Sequence, residues 1–566
     1  MAGTQRWPRG TQGKLALMES TKLKHFHGGL CLDYHKDISR QTAIVVCPAQ
    51  SRYVIPLQQH IGAAGKVTVE QGQRVLKGQM LATTKKLISA PVHSPVSGTV
   101  VEITKHAVPH PSGMEADCII IENDFQDEWV ERKPVAQNYH QMNSHDLRNI
   151  VRDAGIVGLG GAVFPAAIKQ TEININTLIL NGVECEPYIT CDDRLMQERA
   201  REIISGADII GHIIKARECI IAIEDNKPEA IAAMQVAINE DNTGFFRVQV
   251  IPTLYPSGSE KQLIQIITGK EVPINGLPAD IDTLCQNVGT AYAIHKAVFE
   301  DEPLISRIVT ITGKGIKQPQ NMEVAIGTYI ADCIEQCGGY NDDASCMIMG
   351  GPMMGFTINS DQLPVVKACN CLLVTTSDEI YPANTEAHMP CIRCGRCVEV
   401  CPAKLLPQQL YWYASTNNSE RAAEYHLFDC IECGCCSYVC PSQIPLVQYY
   451  RSAKSEIWAL EADRKKSNAA RQRHEARLFR LEQQKRERDE KLRIKREMLN
   501  KKKGKTEEIE IDAKKAAIAE ALARVKKKKE TQAITPKNTD HLSAEQERQI
   551  KEADQRRQML KDENHE

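Results

Sequence analysis

The run Cys391-x2-Cys394-x2-Cys397-x3-Cys401-Pro402 recurs as Cys430-x2-Cys433-x2-Cys436-x3-Cys440-Pro441. Eight cysteines at this spacing constrain the local fold strongly. Three thiolates two residues apart wrap a tight turn around one face of a cubane and leave amide N–H groups aimed at its sulfides. Two [4Fe–4S] clusters, and hence an electron carrier, are the expectation. Zinc also takes soft thiolates, but its sites use paired C-x2-C elements rather than two full four-cysteine runs.

The duplicated run resembles the bacterial two-cluster ferredoxins, in which the fourth cysteine of each run serves the other cluster. By that resemblance Cys391, Cys394, Cys397 and Cys440 hold the first cluster, and Cys401, Cys430, Cys433 and Cys436 the second. Pro402 and Pro441 turn each run toward its neighbour's iron. Cys435 reads as a spare small side chain. Of the remaining cysteines only Cys369-x-Cys371 approaches a metal spacing, and all of them read as small buried hydrophobes.

Twenty-one cysteines would imply a disulfide framework in a small secreted chain. Here Arg6, Pro8, Arg9 and Lys14 interrupt any signal-like apolar stretch, so reduced thiols in an intracellular setting are expected. The longest apolar runs, such as 219–223 and 346–349, fall far short of the roughly 20 residues that span a bilayer. Any work at a membrane is then that of a peripheral subunit. A formal net charge of −2 gives no argument for a nucleic-acid partner.

Between Ser144 and Ile294 short apolar strands (177–180, 218–223, 247–251) alternate with helical periodicity (194–214, 229–238), the pattern of an α/β domain. It opens on Gly155-Ile-Val-Gly158-Leu-Gly160-Gly161-Ala-Val-Phe164-Pro165, followed by Lys169. Glycines permit close backbone approach to a phosphate, a helix start offers free N–H groups, and the lysine supplies charge. Gly158–Lys169 resembles the flavin-binding loop of the FMN-bearing, NADH-oxidising subunit of respiratory complex I. Asn181-Gly-Val-Glu184-Cys-Glu186-Pro187, Tyr255-Pro-Ser-Gly258-Ser-Glu260 and Asn287-Val-Gly-Thr290 are similar to that family's later motifs, in order. The resemblance implies that Gly160, Gly161 and Lys169 hold FMN phosphate, with Gly158 in the same cofactor-binding loop and Asn181 and Glu184 facing the flavin. It also implies Glu186 and Glu260 near the nicotinamide of NAD(H), Phe164 on its adenine, and Gly258 and Asn287 lining the same pocket. Leu159, Val163, Val183 and Ser259 depart from the family pattern. The plainer alternatives are a helix N-terminal acid for Glu184 or Glu186 and a capped surface helix for Ser257 and Glu260.

Upstream, Gly/Pro-punctuated strands from Val67 to Thr104 resemble the barrel-sandwich hybrid of lipoyl and biotinyl carriers, with docking rather than modification of Lys85 or Lys86 as its role. Downstream, Arg307–Thr312, Glu323–Ile326, Tyr329–Cys337 and Cys346–Met349 fit a β-grasp module. The expected fold is therefore multi-domain α/β and α+β. Its parts are a leader (1–30), the barrel-sandwich hybrid (31–130), a Rossmann-like FMN/NADH-binding domain (135–300), a β-grasp, SLBB-like domain (304–365), a two-cluster ferredoxin-like domain (380–450) and a charged helical or disordered tail (455–566). In the tail Leu478, Leu481, Leu492 and Leu499 keep no sustained heptad.

This ordered combination, with the Lys24-His-Phe-His-Gly28-Gly29 leader, resembles the family of C subunits of Rnf electron-transport complexes. The resemblance implies an ion-translocating NADH/ferredoxin oxidoreductase (translocase), in which this chain is peripheral on the cytoplasmic face of the bacterial inner membrane. Its partners would be the other subunits of the complex and a ferredoxin or ferredoxin-like subunit. The alternatives are an electron-relay module without its own NADH turnover, for instance one that keeps a redox-sensing regulator reduced, and a soluble flavin dehydrogenase.

Overall fold

The computed structural model describes residues 23–83, 86–135, 139–171, 175–241, 243–274, 276–377, 379, 389–503, 511–531 and 544–562. Lys85, the first 22 residues of the leader and several stretches of the tail lie outside them. The described chain divides into two units, Met1–Glu461 and Ala462–Glu566.

In the first unit, strand Glu115–Asn123 sits between Arg52–Pro56 and Gly98–Ala107, with Arg74–Val75 at the edge, all antiparallel. A second sheet joins Lys66–Val67, Met80–Thr83 and Val92–His93. Successive side chains of a strand point to opposite faces. Ile119 and Ile121 therefore enter the sandwich core with Tyr53, Ile55 and Leu81, while Cys118 and Ile120 pack on the other face with Val54.

The next domain is a four-stranded parallel sheet in the order Phe246–Ile251, Glu218–Glu224, Thr177–Asn181, Thr283–Asn287. Its two inner strands, Glu218–Glu224 and Thr177–Asn181, are nearly continuous apolar runs buried along most of their length, as the middle of a parallel sheet requires. The chain winds outward from Thr177–Asn181 in one direction and then crosses to its other side with Thr283–Asn287. The strand order thus reverses between these two, and the C-terminal ends of such a pair form the usual ligand crevice of an open α/β sheet. The helical stretch expected over 194–214 is two helices, Cys191–Glu198 and Ala200–Ile214, broken where Arg199 leaves helical geometry at φ −131° and ψ 32°.

A six-stranded mixed sheet follows, in the order Val45–Val46, Gln320–Ala325, Ser306–Thr312, Cys371–Thr376, Ala344–Met349, Phe356–Ile358, with helix Ile330–Gln336 beside it. Two of its strands lie outside the expected span of 304–365. Val45–Val46 comes from the N-terminal segment, and the buried strand Cys371–Thr376 pairs with Ser306–Thr312 and Ala344–Met349. The cysteine runs follow as short helices, then helix Leu446–Lys503 begins. In the second unit the helices carry i,i+3 and i,i+4 ion pairs such as Arg486–Glu482 and Arg524–Glu520. Each pair supports the local helix by about 0.3–0.5 kcal/mol. Leu478, Leu481, Leu492 and Leu499 are exposed there. Most cysteines outside the two runs are buried, but Cys31 is exposed and Cys47, Cys185 and Cys346 are half-buried.

One polar junction joins the sandwich, the parallel-sheet domain and the mixed-sheet domain. The buried Lys367 Nζ donates to Pro91 O at 3.0 Å and Gly155 O at 2.6 Å. Burial, reinforced by Lys367, holds the His93 imidazole down to about pKa 3. His93 is thus neutral when folded and takes up a proton on unfolding below its ordinary value near 6.5. The unfolded chain binds the extra proton, so stability falls as pH drops through that value. One pH unit below, the loss is about 1.4 kcal/mol per histidine. His93→Gln is expected to shrink the fall in unfolding free energy between about pH 7.5 and 5.5 by that amount, read by urea denaturation. An unchanged pH dependence would refute the assignment.

Candidate functional site

The glycine-rich loop lies over the crevice. A Cβ added at Gly160 would stand 3.4 Å from Asn287 Cβ, whereas one at Gly161, whose φ is +110°, would meet nothing within 4 Å. Leu159 N donates to Thr290 Oγ1 at 3.0 Å, which ties the loop to the start of helix Val288–Phe299. Gly158 N closes the loop on Phe164 O at 2.8 Å, and the Phe164 ring is half-buried. Asn181 and Asn287 face each other at the ends of the two strands that bound the crevice. Asn181 Nδ2 donates to Gly258 O at 2.9 Å, which draws in the third motif. Asn287 Oδ1 caps the helix through Gly289 N at 2.8 Å, and its Nδ2 donates to Asp192 at 2.6 Å.

Lys169 and Glu260 meet as an ion pair at 2.6 Å, with side chains 29% and 38% exposed. The residue expected on the FMN phosphate and the one expected near the nicotinamide of NAD(H) thus hold each other. Glu184 is a buried helix-terminal acid: it accepts from Asp192 N at 2.7 Å and Asp193 N at 3.3 Å, at the start of helix Cys191–Glu198. Burial, only partly offset by Lys36, raises its pKa to about 8. Glu186 turns away from the loop and accepts from Met353 N at 2.8 Å and Met354 N at 2.9 Å in the mixed-sheet domain. Gly158, Gly160, Gly161, Asn181, Gly258 and Asn287 therefore converge, Lys169 and Glu260 pair beside them, and Glu184 and Glu186 serve backbone amides. The open turn at Gly161 and the partly exposed Lys169 beside it, paired with Glu260, fit a phosphate-bearing ligand, while the asparagine amides serve Gly258 O and Asp192 and hold the crevice wall.

The two cysteine runs repeat each other's backbone. Arg393 and Glu432 both have φ of 57°, Gly395 and Gly434 have 82° and 80°, and Lys404 and Gln443 have 55° and 52°. One cavity is lined by Cys391, Cys394, Cys397 and Cys440. The other is lined by Cys401, Cys430, Cys433 and Cys436, with Cys435 also at its wall. Four thiols around each of two cavities, with one thiol crossing over in each, fit cubane clusters.

The N-terminal segment straps these parts together. Lys24 N donates to Ile266 O, Gly29 N to Val400 O, and Leu30 and Tyr255 exchange backbone bonds. Gly28, at φ +74°, passes so close that a Cβ would fall 2.5 Å from Val400 C. Farther on, Lys36 Nζ enters the turn after Asn181 and donates to the carbonyls of Glu184 at 2.8 Å, Glu186 at 2.9 Å and Ile189 at 2.5 Å. Neither Lys36 nor Tyr255 has a role that the sequence alone assigns. Tyr255 lies inside the third motif, whereas no local signal marks Lys36.

Residues 24–126 match the RnfC barrel sandwich hybrid domain, 151–296 the Nuo51 FMN-binding domain, 308–357 the SLBB domain and 390–444 the 4Fe-4S dicluster domain. The chain is 46% identical over 477 residues to the C subunit of an ion-translocating oxidoreductase complex of Serratia proteamaculans, covering 84% of this chain and 67% of the relative. It is 48% identical over 462 residues to the corresponding protein of Pseudomonas aeruginosa, covering 81% of this chain and 59% of the relative. The chain thus spans about six- to seven-tenths of the length of these relatives. An NAD+-reducing [NiFe]-hydrogenase structure aligns with a TM-score of 0.40 and 19% identity, covering 56% of this chain and 63% of that one, a likeness that carries no argument.

Proposed function

Because the chain belongs to the family of C subunits of ion-translocating oxidoreductase complexes, we propose that it passes electrons between NAD(H), FMN and two [4Fe–4S] clusters within such a complex, which couples the transfer to ion movement. Its partners are then the other subunits of the complex and a ferredoxin or ferredoxin-like subunit. No helix among the described residues is long and apolar enough to cross a membrane. A peripheral place on the cytoplasmic face of the inner membrane is part of the same proposal.

FMN, when bound, converts the two-electron chemistry of nicotinamide into the single-electron steps that iron–sulfur clusters accept. This chain's own residues bind and orient. Gly160 and Gly161 offer backbone to the phosphate, with Lys169 as its cation, while Gly158 closes the loop on Phe164 O. Asn181, Gly258 and Asn287 shape the crevice wall, and Phe164 and Glu260 stand at its rim. Glu184 and Glu186 act one step back, fixing the turns on which the crevice depends. Cys391, Cys394, Cys397 and Cys440 hold the first cluster, and Cys401, Cys430, Cys433 and Cys436 the second.

The observation that carries the proposal is the third motif. Glu260 pairs with Lys169 of the glycine loop, while the Tyr255 hydroxyl donates to Cys433 O at 2.6 Å. Five residue steps span at most roughly 18 Å. The crevice and the second cysteine cavity are therefore joined through protein by one short segment. The test is anaerobic addition of NADH to the reconstituted chain: the bound flavin should bleach, and the clusters should then reduce. A folded protein that carries iron but no flavin would support the relay reading instead.

A further inference from the structure

Side chains from outside the two cysteine runs reach the carbonyl oxygens of three of the four cysteines around the second cavity. Tyr255 Oη donates to Cys433 O at 2.6 Å, Lys454 Nζ to Cys430 O at 2.7 Å, and His27 Nδ1 lies 3.0 Å from Cys401 O. Tyr255 is fully buried and Lys454 is 6% exposed. The Lys454 charge is balanced by Glu432 at 2.7 Å, which Arg451 also contacts at 2.9 Å. A buried ammonium so paired is a built feature, since an unpaired one would carry a desolvation cost of several kcal/mol.

In a trans peptide the C=O and the following N–H point in opposite directions. Holding the Cys433 carbonyl therefore fixes the direction of Gly434 N–H, and holding the Cys430 carbonyl fixes that of Ile431 N–H. Gly434 and Ile431 both line the second cavity. Cys401 is followed by Pro402, which has no N–H to orient, so the exposed His27 contact anchors the strap and does not act in this way. Around the first cavity, Cys391 and Cys394 are themselves exposed, and the Cys440 carbonyl is taken by the backbone of Gln443 at 3.0 Å.

We propose that Tyr255 and Lys454 are positioning residues for the second cluster, locking two peptide dipoles toward its sulfur atoms from the flavin-domain side and from the helix that follows the cysteine runs. Resting on the cluster reading above, this makes the second cluster's potential a property of the domain junction. Hydrogen bonds to cluster sulfur favour the more negative, reduced form and raise the potential. Loosening the peptides should lower it.

The test is a redox titration of the reconstituted full chain followed by electron paramagnetic resonance. A Cys394→Ser variant, left with the second cluster, identifies that cluster's signal. Tyr255→Phe removes only the hydroxyl and leaves charge unchanged. It is expected to move the second cluster's midpoint to more negative potential, with the first cluster's midpoint unmoved. Lys454→Met combined with Glu432→Gln removes the donor with no change of net charge; it is expected to move the same signal in the same direction, and it decides the matter if Tyr255→Phe does not fold. Unchanged midpoints in a variant that keeps both clusters, or a shift confined to the first cluster, would overturn it. Failure of the parent chain to bind iron would instead overturn the cluster reading itself.

Discussion

Lys169→Ala is expected to weaken FMN binding by about one to two orders of magnitude. A charge-assisted hydrogen bond to phosphate contributes roughly 1.5–3 kcal/mol, and about 1.4 kcal/mol corresponds to tenfold. The structure adds a competitor, because the Lys169 ammonium is already paired with Glu260. With both side chains about a third exposed, that pair contributes at most about 1 kcal/mol. On these magnitudes the phosphate should draw the lysine away from Glu260. The same arithmetic separates the two residues: Glu260→Ala frees the lysine and should leave FMN affinity equal or slightly tighter, while slowing flavin reduction by NADH if Glu260 meets the nicotinamide. Isothermal titration with FMN and stopped-flow reduction read the two effects. Parent-like FMN affinity in Lys169→Ala would remove the phosphate role.

Cys401→Ser should cost the chain the cluster whose other three ligands are Cys430, Cys433 and Cys436, roughly half of its iron, although Cys401 belongs in sequence to the first run. The reason is spatial: Cys401 lines the second cavity, and Cys440 lines the first. Iron and acid-labile sulfide analysis with resonance spectra of the variant measures this. Loss of the Cys391 cluster with retention of the other would reverse the crossed assignment.

Much of this architecture was legible because it is written in local repeats. The cysteine spacing fixes the turns at Gly395 and Gly434, and the apolar runs at 177–180 and 218–223 are strands buried on both faces. The roles of Glu184 and Glu186 were not legible in the same way. A carboxylate in a motif looks alike whether it faces a ligand or caps a helix, and only folding shows that Glu184 meets Asp192 N and Glu186 meets Met353 N. Lys36 was invisible for a related reason. A lone cation in a polar stretch gives no sign that three carbonyls 148 to 153 residues away will surround it. The strand Val45–Val46 was missed because two residues carry no periodicity, and its place at the sheet edge is set by its partner at Met322 and Glu323.

The N-terminal strap has a consequence in time. His27 meets Cys401 across 374 residues of intervening chain. At a synthesis rate of about 5–20 residues per second, its docking surface leaves the ribosome roughly 20–75 s after the strap itself. The flavin domain and the sandwich can be complete before then, whereas the strap's contacts with Val400 and Cys401 must wait for that surface. Until Val400 and Cys401 emerge, His27 and Gly29 lack their partners there, and the strap is held by its backbone bonds to Ile266 and Tyr255.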